Sequence, residues 1–480
     1  MVKSFKSLEL DKDIEKSLEV LEFTNLTQVQ EKVIPKILDK KDVVVKSQTG
    51  SGKTLAFAVP ICSEITWDEK SPQCLVVTPT RELAMQISED FFNIGRFKRL
   101  KVVKLFGDSP FYNQKSLLSQ RTHVVVGTPG RIIDHIKKDT INLEKIEYLV
   151  LDEADEMLNM GFIDQVEEII NYLPSNKNTF LFSATMPKEV ETIYNKYLKD
   201  PEIIEIKSEN RIFERVKQFK VNIGDARKLD VLRDITIIEN PDRCIIFCNT
   251  RDNVDYVYNN LKRFDYSVEK IHGGMDQKDR TKVMNDYKDS KFRYLIATDV
   301  AARGIDVDNI THVINYDIPF EAETYIHRLG RTGRMDKTGC VISLFDESDD
   351  RYLKDIYEII DGDILDKDIP DESEVDSKRD NFFIKMNQKL EKEEDLSLDL
   401  EESILKIHIN SGKRQKLRPG DIVGAICSID GIDADDIGII TVIDTASFVE
   451  ILNGKGKTVL KELKSIPIKG RVRKVNKARD

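Results

Sequence analysis

The sequence predicts an α/β protein of two tandem parallel-sheet domains followed by a small α+β domain. Two observations carry the sheet prediction. Short apolar runs alternate with helical patterns from residue 43 to about 202, and the alternation restarts at about 203. The runs are apolar throughout rather than at every second residue, as in strands buried on both faces. A third observation sets the end of the chain apart. After an acidic stretch, ordered patterning resumes near Ile404 and turns strongly basic. A length of 480 residues suits roughly three domains.

The first series of strands is read at Val43–Val45, Cys74–Thr78, Val102–Phe106, His123–Val126, Tyr148–Leu151 and Thr179–Phe182, with helices at Leu55–Ile65, Glu82–Phe92 and Arg131–Lys137. Before it, Thr27 reads as a helix cap and Val29, Val33, Ile34 and Ile37 as its apolar stripe. Between the first strand and its helix lies Ser47-Gln48-Thr49-Gly50-Ser51-Gly52-Lys53-Thr54. A glycine-rich turn opening a helix points backbone N–H groups at an anion. Lys53 would reach terminal phosphates and the Thr54 hydroxyl would ligate Mg²⁺; a plain glycine turn is the alternative.

Ligands in parallel sheets sit beyond the carboxyl ends of the strands. Three such ends carry unusual loops: Pro79–Leu83, Gly127–Arg131 and Asp152-Glu153-Ala154-Asp155. In a domain that also holds Lys53 and Thr54, Asp152 reads as a Mg²⁺ holder and Glu153 as the group that orients a water. An acidic helix N-terminus is the other reading of those carboxylates. Ser183-Ala184-Thr185 reads as a helix cap before Pro187.

The second series is read at Val216–Val221, Cys244–Cys248, Ser267–Ile271, Tyr294–Ala297, Thr311–Ile314 and Cys340–Phe345, without a phosphate loop. Arg328, Arg331 and Arg334 recur every three residues among glycines. They read as a basic helix end or as guanidinium forks for a developing phosphoryl charge. Residues 361–402 hold sixteen acids against six bases and read as a charged connector, helical around Phe382–Glu394. Strands are expected at Leu405–Ile409, Ile422–Ile426, Ile437–Ile443, Phe448–Ile451 and Ile466–Val472. Residues 455–479 carry ten Lys and Arg and one acid on a chain of net charge −11. A basic segment on an acidic chain is the electrostatic footprint of nucleic-acid binding. The N-terminus lacks an apolar signal region, no run nears the ~18 apolar residues of a membrane span, and six scattered cysteines suit a reducing cytoplasm.

Taken together, these motifs resemble the DEAD-box RNA helicases from about Phe5 to Ile360, in the family order. The glutamine motif ends at Gln30 and the phosphate loop is Ser47–Thr54. Pro79–Leu83, Thr128–Arg131, Asp152–Asp155 and Ser183–Thr185 follow, then Ile245–Thr250, Gln277 with Arg280, Thr298–Asp306 and His327–Arg334. The resemblance implies two RecA-like domains, 1–202 and 203–361, then a linker, 362–403. It also implies RNA-stimulated ATP hydrolysis with Mg²⁺ held at Thr54 and Asp152. Phe23 would stack on adenine, Gln30 would read its edge and Asp306 would hold the ribose. Lys53, Asp152 and Glu153 would drive hydrolysis, with Arg331 and Arg334 as arginine fingers. Ser183, Thr185 and His327 would couple hydrolysis to strand separation. Thr80, Arg81, Gly107, Thr128, Arg131, Thr250, Gly273, Thr298 and Asp299 would line the RNA path.

Three positions depart from the family pattern. Glu22 replaces a glycine, Leu26 a proline, and Asp108 the second glycine of a pair.

The segment 404–480 resembles the RRM-like RNA-binding domain of the DbpA group through Leu417–Asp421, Asp436–Gly438, Ser447–Glu450 and Lys469–Arg471. That implies targeting to structured large-subunit ribosomal RNA, with pre-ribosomal particles as partners. Arg471, Arg473 and Lys474 are the expected phosphate contacts. RNA decay or cold adaptation without ribosomal specificity is the alternative role. A DNA translocase and a non-catalytic RNA clamp are rival classes. Phe448, the only aromatic after Ile404, is expected in the core of this domain.

Overall fold

A computed structural model describes residues 4–47, 50–107, 109–206, 215–302, 310–333, 337–360, 362–388, 390 and 404–478. Gln48, Thr49, Asp108, Asp306 and Arg334 lie outside the described residues. The chain divides into two compact units. One holds the first sheet together with the C-terminal sheet, and the other holds the second sheet.

The first sheet consists of β1 (Val43–Lys46), β2 (Cys74–Val77), β3 (Val102–Leu105), β4 (Val124–Gly127), β5 (Tyr148–Leu151), β6 (Asn178–Ser183) and β7 (Glu202–Glu205). Their order is β3-β4-β2-β5-β6-β1-β7, and every pairing is parallel. β1, β2, β4 and β5 are buried along nearly their whole length. Alternate residues therefore feed two apolar cores, with Val43 and Val45 on one side and Val44 on the other. The sequence pattern missed β7, whose three polar-facing residues in four leave little apolar signal.

The second sheet repeats the plan with β8 (Val216–Asn222), β9 (Cys244–Phe247), β10 (Val268–Ile271), β11 (Tyr294–Ala297), β12 (His312–Asn315), β13 (Gly339–Phe345) and β14 (Ile364–Asp366), in the order β10-β11-β9-β12-β13-β8-β14. Here the expected connector is corrected. Residues 364–366 form β14 on the edge of this sheet, and the helix Glu372–Asn387 buries Val375, Phe382 and Met386 in its core. Three apolar residues spaced seven and four apart suffice to seat an otherwise charged helix. The helix expected around Phe382 is present, but it starts ten residues earlier, at Glu372, and packs on the sheet, which the charge count does not show.

The C-terminal sheet is antiparallel, with β15 (Leu405–Ile409), β16 (Ile437–Val442), β17 (Ser447–Ile451) and β20 (Val475–Lys477) in the order β16-β17-β15-β20, beside a hairpin of β18 (Pro467–Ile468) and β19 (Arg471–Val472). The strand expected at Ile422–Ile426 is instead part of a helix, Pro419–Ile426. Pro419 opens it and Asp421 accepts from the Arg418 N–H at 2.9 Å, a capping arrangement that a bare apolar run does not reveal. Phe448 is likewise not in the core. Val449 and Ile451 are, so alternation puts Phe448 on the opposite face, half-buried against His408 with ring centroids 5.2 Å apart.

His123 closes the amino end of β4. Its Nε2–H donates to the Trp67 carbonyl at 3.0 Å and its Nδ1 accepts from the Lys101 N–H at 2.8 Å. Burial pushes its pKa down to about 4, and protonation would set an N–H against the Lys101 N–H. The unfolded chain binds this proton more readily, so the stability His123 contributes is full above about pH 6.5 and is lost as pH falls toward 4. Urea midpoints of the first unit should decline more steeply over that window in the wild type than in His123→Asn. Parallel declines would show that another group controls acid sensitivity.

Candidate ATP site and RNA path

The phosphate loop leads from β1 into the helix Lys53–Glu64. Gly52 caps that helix with φ 88°, a left-handed conformation that glycine adopts freely. A Cβ at Gly52 would lie 2.6 Å from Gln30 Nε2 and 3.1 Å from Thr27 Oγ1. Those two residues form a capping box: the Thr27 N–H donates to Gln30 Oε1 at 2.9 Å. Both then reach the loop, with Gln30 Nε2 donating to the Gly52 carbonyl at 3.1 Å and Thr27 Oγ1 to the Ser51 carbonyl at 2.9 Å. Gln30 is thus a helix cap and a brace for the loop at once. Phe23 is exposed nearby in sequence. The residue before it, Glu22, has φ 56°, which explains the family's glycine there. Leu26, in place of the family's proline, is buried in the first core.

β5 runs into Asp152 and β6 ends in Ser183; the two strands are neighbours, and β6 pairs with β1. Asp152 is 3% exposed, and burial raises its pKa to about 7 against the opposing pull of the Lys53 ammonium. A buried carboxylate and the Thr54 hydroxyl, both oxygen donors, suit a hard divalent cation. Glu153 sits at φ 52°, ψ 55° and turns the chain into the helix Ala154–Asn159. Asp155 joins the two strand ends. Its Oδ2 accepts from the Ala184 N–H at 3.1 Å, the Thr185 N–H at 2.8 Å and Thr185 Oγ1 at 3.0 Å, while its own N–H donates to Ser183 Oγ at 3.2 Å. Sequence reasoning read Ser183–Thr185 as a cap. The structure ties it to the acidic motif.

The expected RNA-path residues of the first domain gather at the other half of the sheet edge, beyond β3, β4 and β2. Thr80 caps the helix Arg81–Ile94 by accepting from the Leu83 N–H at 3.3 Å. A Cβ at Gly107 would lie 2.8 Å from an Arg81 Nη. Thr128 caps the helix Pro129–Lys137. From that helix, Arg131 Nη1 donates to the Ser109 carbonyl at 3.0 Å and to Gln114 Oε1 at 2.9 Å. Gln114, a buried residue that the sequence did not single out, also donates to the Phe106 carbonyl at 3.0 Å.

In the second unit the corresponding strand ends, β10, β11 and β9, carry Gly273, Thr298 with Asp299, and Thr250. Gly273 and Thr250 are exposed. Both Asp299 oxygens accept from Arg328, at 2.6 and 2.7 Å. Arg328 is 1% exposed and also donates to Asn249 Oδ1, Asn315 Oδ1 and the Asp317 carbonyl. Of the three periodic arginines, Arg328 is therefore spent inside the fold, and Asp299 orients it. Arg331 is mostly buried, with its Nε donating to the His327 carbonyl at 3.2 Å; the His327 ring is half-buried. Asn249, Asn315 and Asp317 were missed because only the folded sheet brings them to one guanidinium.

Two parallel-sheet units, one with a phosphate loop and paired carboxylates at the carboxyl edge, define a nucleotide-driven motor of the RecA-like helicase class. Family models match in sequence order: "DEAD/DEAH box helicase" over residues 27–193, "Helicase conserved C-terminal domain" over 227–336 and "DbpA RNA binding domain" over 406–477. The ATP-dependent RNA helicase DbpA of Bacillus subtilis is 50% identical over 474 residues, 99% of each chain. CshA of Geobacillus kaustophilus, a DEAD-box ATP-dependent RNA helicase, is 42% identical over 71% of this chain and 73% of its own. Among solved structures, S. cerevisiae Dbp5 bound to RNA and ADP BeF3 matches with TM-score 0.72 and 30% identity over 79% of this chain and 99% of that one. The chain belongs to the DEAD-box family of ATP-dependent RNA helicases and is DbpA-like, with RNA-stimulated ATP hydrolysis as its activity. Among the described residues, no helix is long and apolar enough to cross a membrane.

Gly52→Ala tests the loop brace. The added methyl would displace Gln30 or the loop, and with it Lys53. RNA-stimulated turnover should fall about 10- to 100-fold, or ~1.4–2.8 kcal/mol of barrier, with an unchanged circular dichroism spectrum. Turnover within about twofold of wild type would show that the contact is not limiting.

Proposed function

We propose that this helicase locally opens structured RNA, namely large-subunit ribosomal RNA during ribosome assembly, and that its C-terminal domain supplies the targeting. The ATP half-site is Lys53, Thr54, Asp152 and Glu153, braced by Gln30 and Thr27. The observation that carries the hydrolytic reading is the Asp155 junction, which ties the acidic motif to Ser183 and Thr185. Thr54 and Asp152 would hold Mg²⁺, which when bound neutralises phosphate charge. Lys53 would hold the terminal phosphates, Glu153 would orient the attacking water, and Arg331 with Arg334 would stabilise the developing charge. Movement of Glu153 would be felt at Thr185 through Asp155, coupling turnover to the RNA path at Thr80, Arg81, Gly107, Thr128 and Arg131.

The targeting reading rests on the basic hairpin. Arg471 and Lys474 are exposed and Arg473 is half-buried. Phosphate contacts to a folded RNA element would position the domain by shape rather than by stacked bases.

Glu153→Gln should keep ATP and RNA binding and lower turnover by at least about 10²-fold, since the base is lost while Lys53 and Asp152 remain. Turnover within a few-fold of wild type would remove Glu153 from the mechanism.

Affinity for a ribosomal RNA hairpin should fall steeply with salt. Neutralising Arg471, Arg473 and Lys474 together should flatten that slope by about two to three units. Phe448→Leu should leave affinity within about threefold. An unchanged slope in the triple variant, or collapse with Phe448→Leu in a folded protein, would assign recognition to stacking on the sheet.

A further inference from the structure

Within the first unit, the C-terminal domain is seated on the first sheet domain by the face of its sheet that points away from its own core. Glu450 lies on that face in β17. In a free domain it would be solvated, yet here it is 2% exposed and its Oε1 lies 3.7 Å from Nη2 of Arg96, itself 5% exposed. Beside this pair, Ile404 and Leu452 form an apolar cluster with Leu21 and Phe97 of the first domain. An apolar centre with a desolvated charge pair and a polar edge has the anatomy of a specific interface.

Part of the polar edge lies at Arg99, which donates to the Ala434 carbonyl at 3.1 Å, and at Lys16, which donates to Asn453 Oδ1 at 3.3 Å; another part falls on one helix. Phe111–Leu118 meets the C-terminal domain through Tyr112, whose hydroxyl donates to Asp444 Oδ2 at 3.0 Å, and through Ser116, whose Oγ lies 3.4 Å from Lys413 Nζ. Just beyond it, Gln120 Oε1 accepts from the Val442 N–H at 3.2 Å. From the other side of the same helix, Gln114 holds Arg131 and the Phe106 carbonyl.

We propose that the C-terminal domain seats the open face of its sheet on the first domain and clamps the helix Phe111–Leu118 through the loops beside that face, and that this clamp sets the RNA-path arginine Arg131 through Gln114. The partner of the sheet face is thus the first domain of the same chain rather than stacked bases. Gln114 is a positioning residue. The chain of contacts is continuous: Glu450 and Arg96 fix the domain, Lys413 and Asp444 fix the helix, and Gln114 fixes the guanidinium. The coupling half of this inference rests on the RNA-path reading of Arg131.

The test uses the full chain with the exposed Cys427 replaced by serine. Ser116→Cys with Lys413→Cys reports the seat by its rate of disulfide formation. The RNA concentration for half-maximal ATPase, measured with unstructured RNA, reports the path. Arg96→Glu should slow crosslinking at least tenfold and raise the half-stimulating RNA concentration several-fold, with the turnover at saturation unchanged. The charge swap Arg96→Glu with Glu450→Arg should restore both, which separates the interface from a folding defect. Gln114→Ala should keep the crosslink and still raise the half-stimulating concentration. Crosslinking insensitive to Arg96→Glu, or not restored by the swap, would overturn the seat. No effect of Gln114→Ala alongside a clear effect of Arg131→Ala would overturn the relay only. No effect of Arg131→Ala would overturn the RNA-path reading and the coupling with it.

Discussion

Parallel strand pairing is the constraint on which everything else in this molecule depends. Every pairing in the two large sheets is parallel, so all strand carboxyl ends fall on one edge of each sheet. The loops that leave that edge are the ones that carry chemistry. In the first sheet the order divides the edge in two. β1, β5 and β6 carry the phosphate loop and the acidic motif, and β3, β4 and β2 carry the residues of the proposed RNA path. The second sheet repeats the latter half with β10, β11 and β9. One duplicated geometry therefore offers two matching strand edges for the proposed RNA path, while only the first copy has a phosphate loop.

Buried charge holds these loops in place. Asp155 is 4% exposed and accepts from three backbone N–H groups and a hydroxyl; Arg328 is 1% exposed and donates to Asp299, Asn249, Asn315 and a carbonyl. A buried charge is tolerable when its hydrogen-bonding capacity is filled in this way, and removing one partner then costs about 3–5 kcal/mol. Such networks specify one loop arrangement more than they add net stability. They also explain why a motif arginine and a motif aspartate are paired with each other inside the fold.

The C-terminal domain resolves a tension in the composition. A chain of net charge −11 repels a polyanion, yet residues 455–479 concentrate ten basic side chains. Folding places Arg471 and Lys474 in and beside an exposed hairpin and turns the remaining sheet face toward the first domain. Attraction is local, and the acidic remainder limits indiscriminate binding elsewhere.

What the sequence determined by itself is whatever depends on local pattern. The runs at Val43–Val45, Tyr148–Leu151 and Cys244–Cys248 are strands because they are short, apolar and bounded by turns; Asp152 and Ser183 follow such runs directly, and Lys53 opens the helix after the first. The acidic stretch reads as a connector with a helix around Phe382; that this helix docks on the second sheet through Val375, Phe382 and Met386 is concealed, because average composition hides a few well-spaced apolar residues. The helix at Pro419–Ile426 was read as a strand because capping depends on backbone geometry that an apolar run does not display. Only the tertiary structure decided which loops became neighbours. The Asp155 bonds span 28 to 30 residues, Arg328 reaches Asn249 across 79, and Glu450 faces Arg96 from another domain. Contacts at such separations leave no periodic trace, since they follow from strand order and sheet facing rather than from the spacing of residues along the chain.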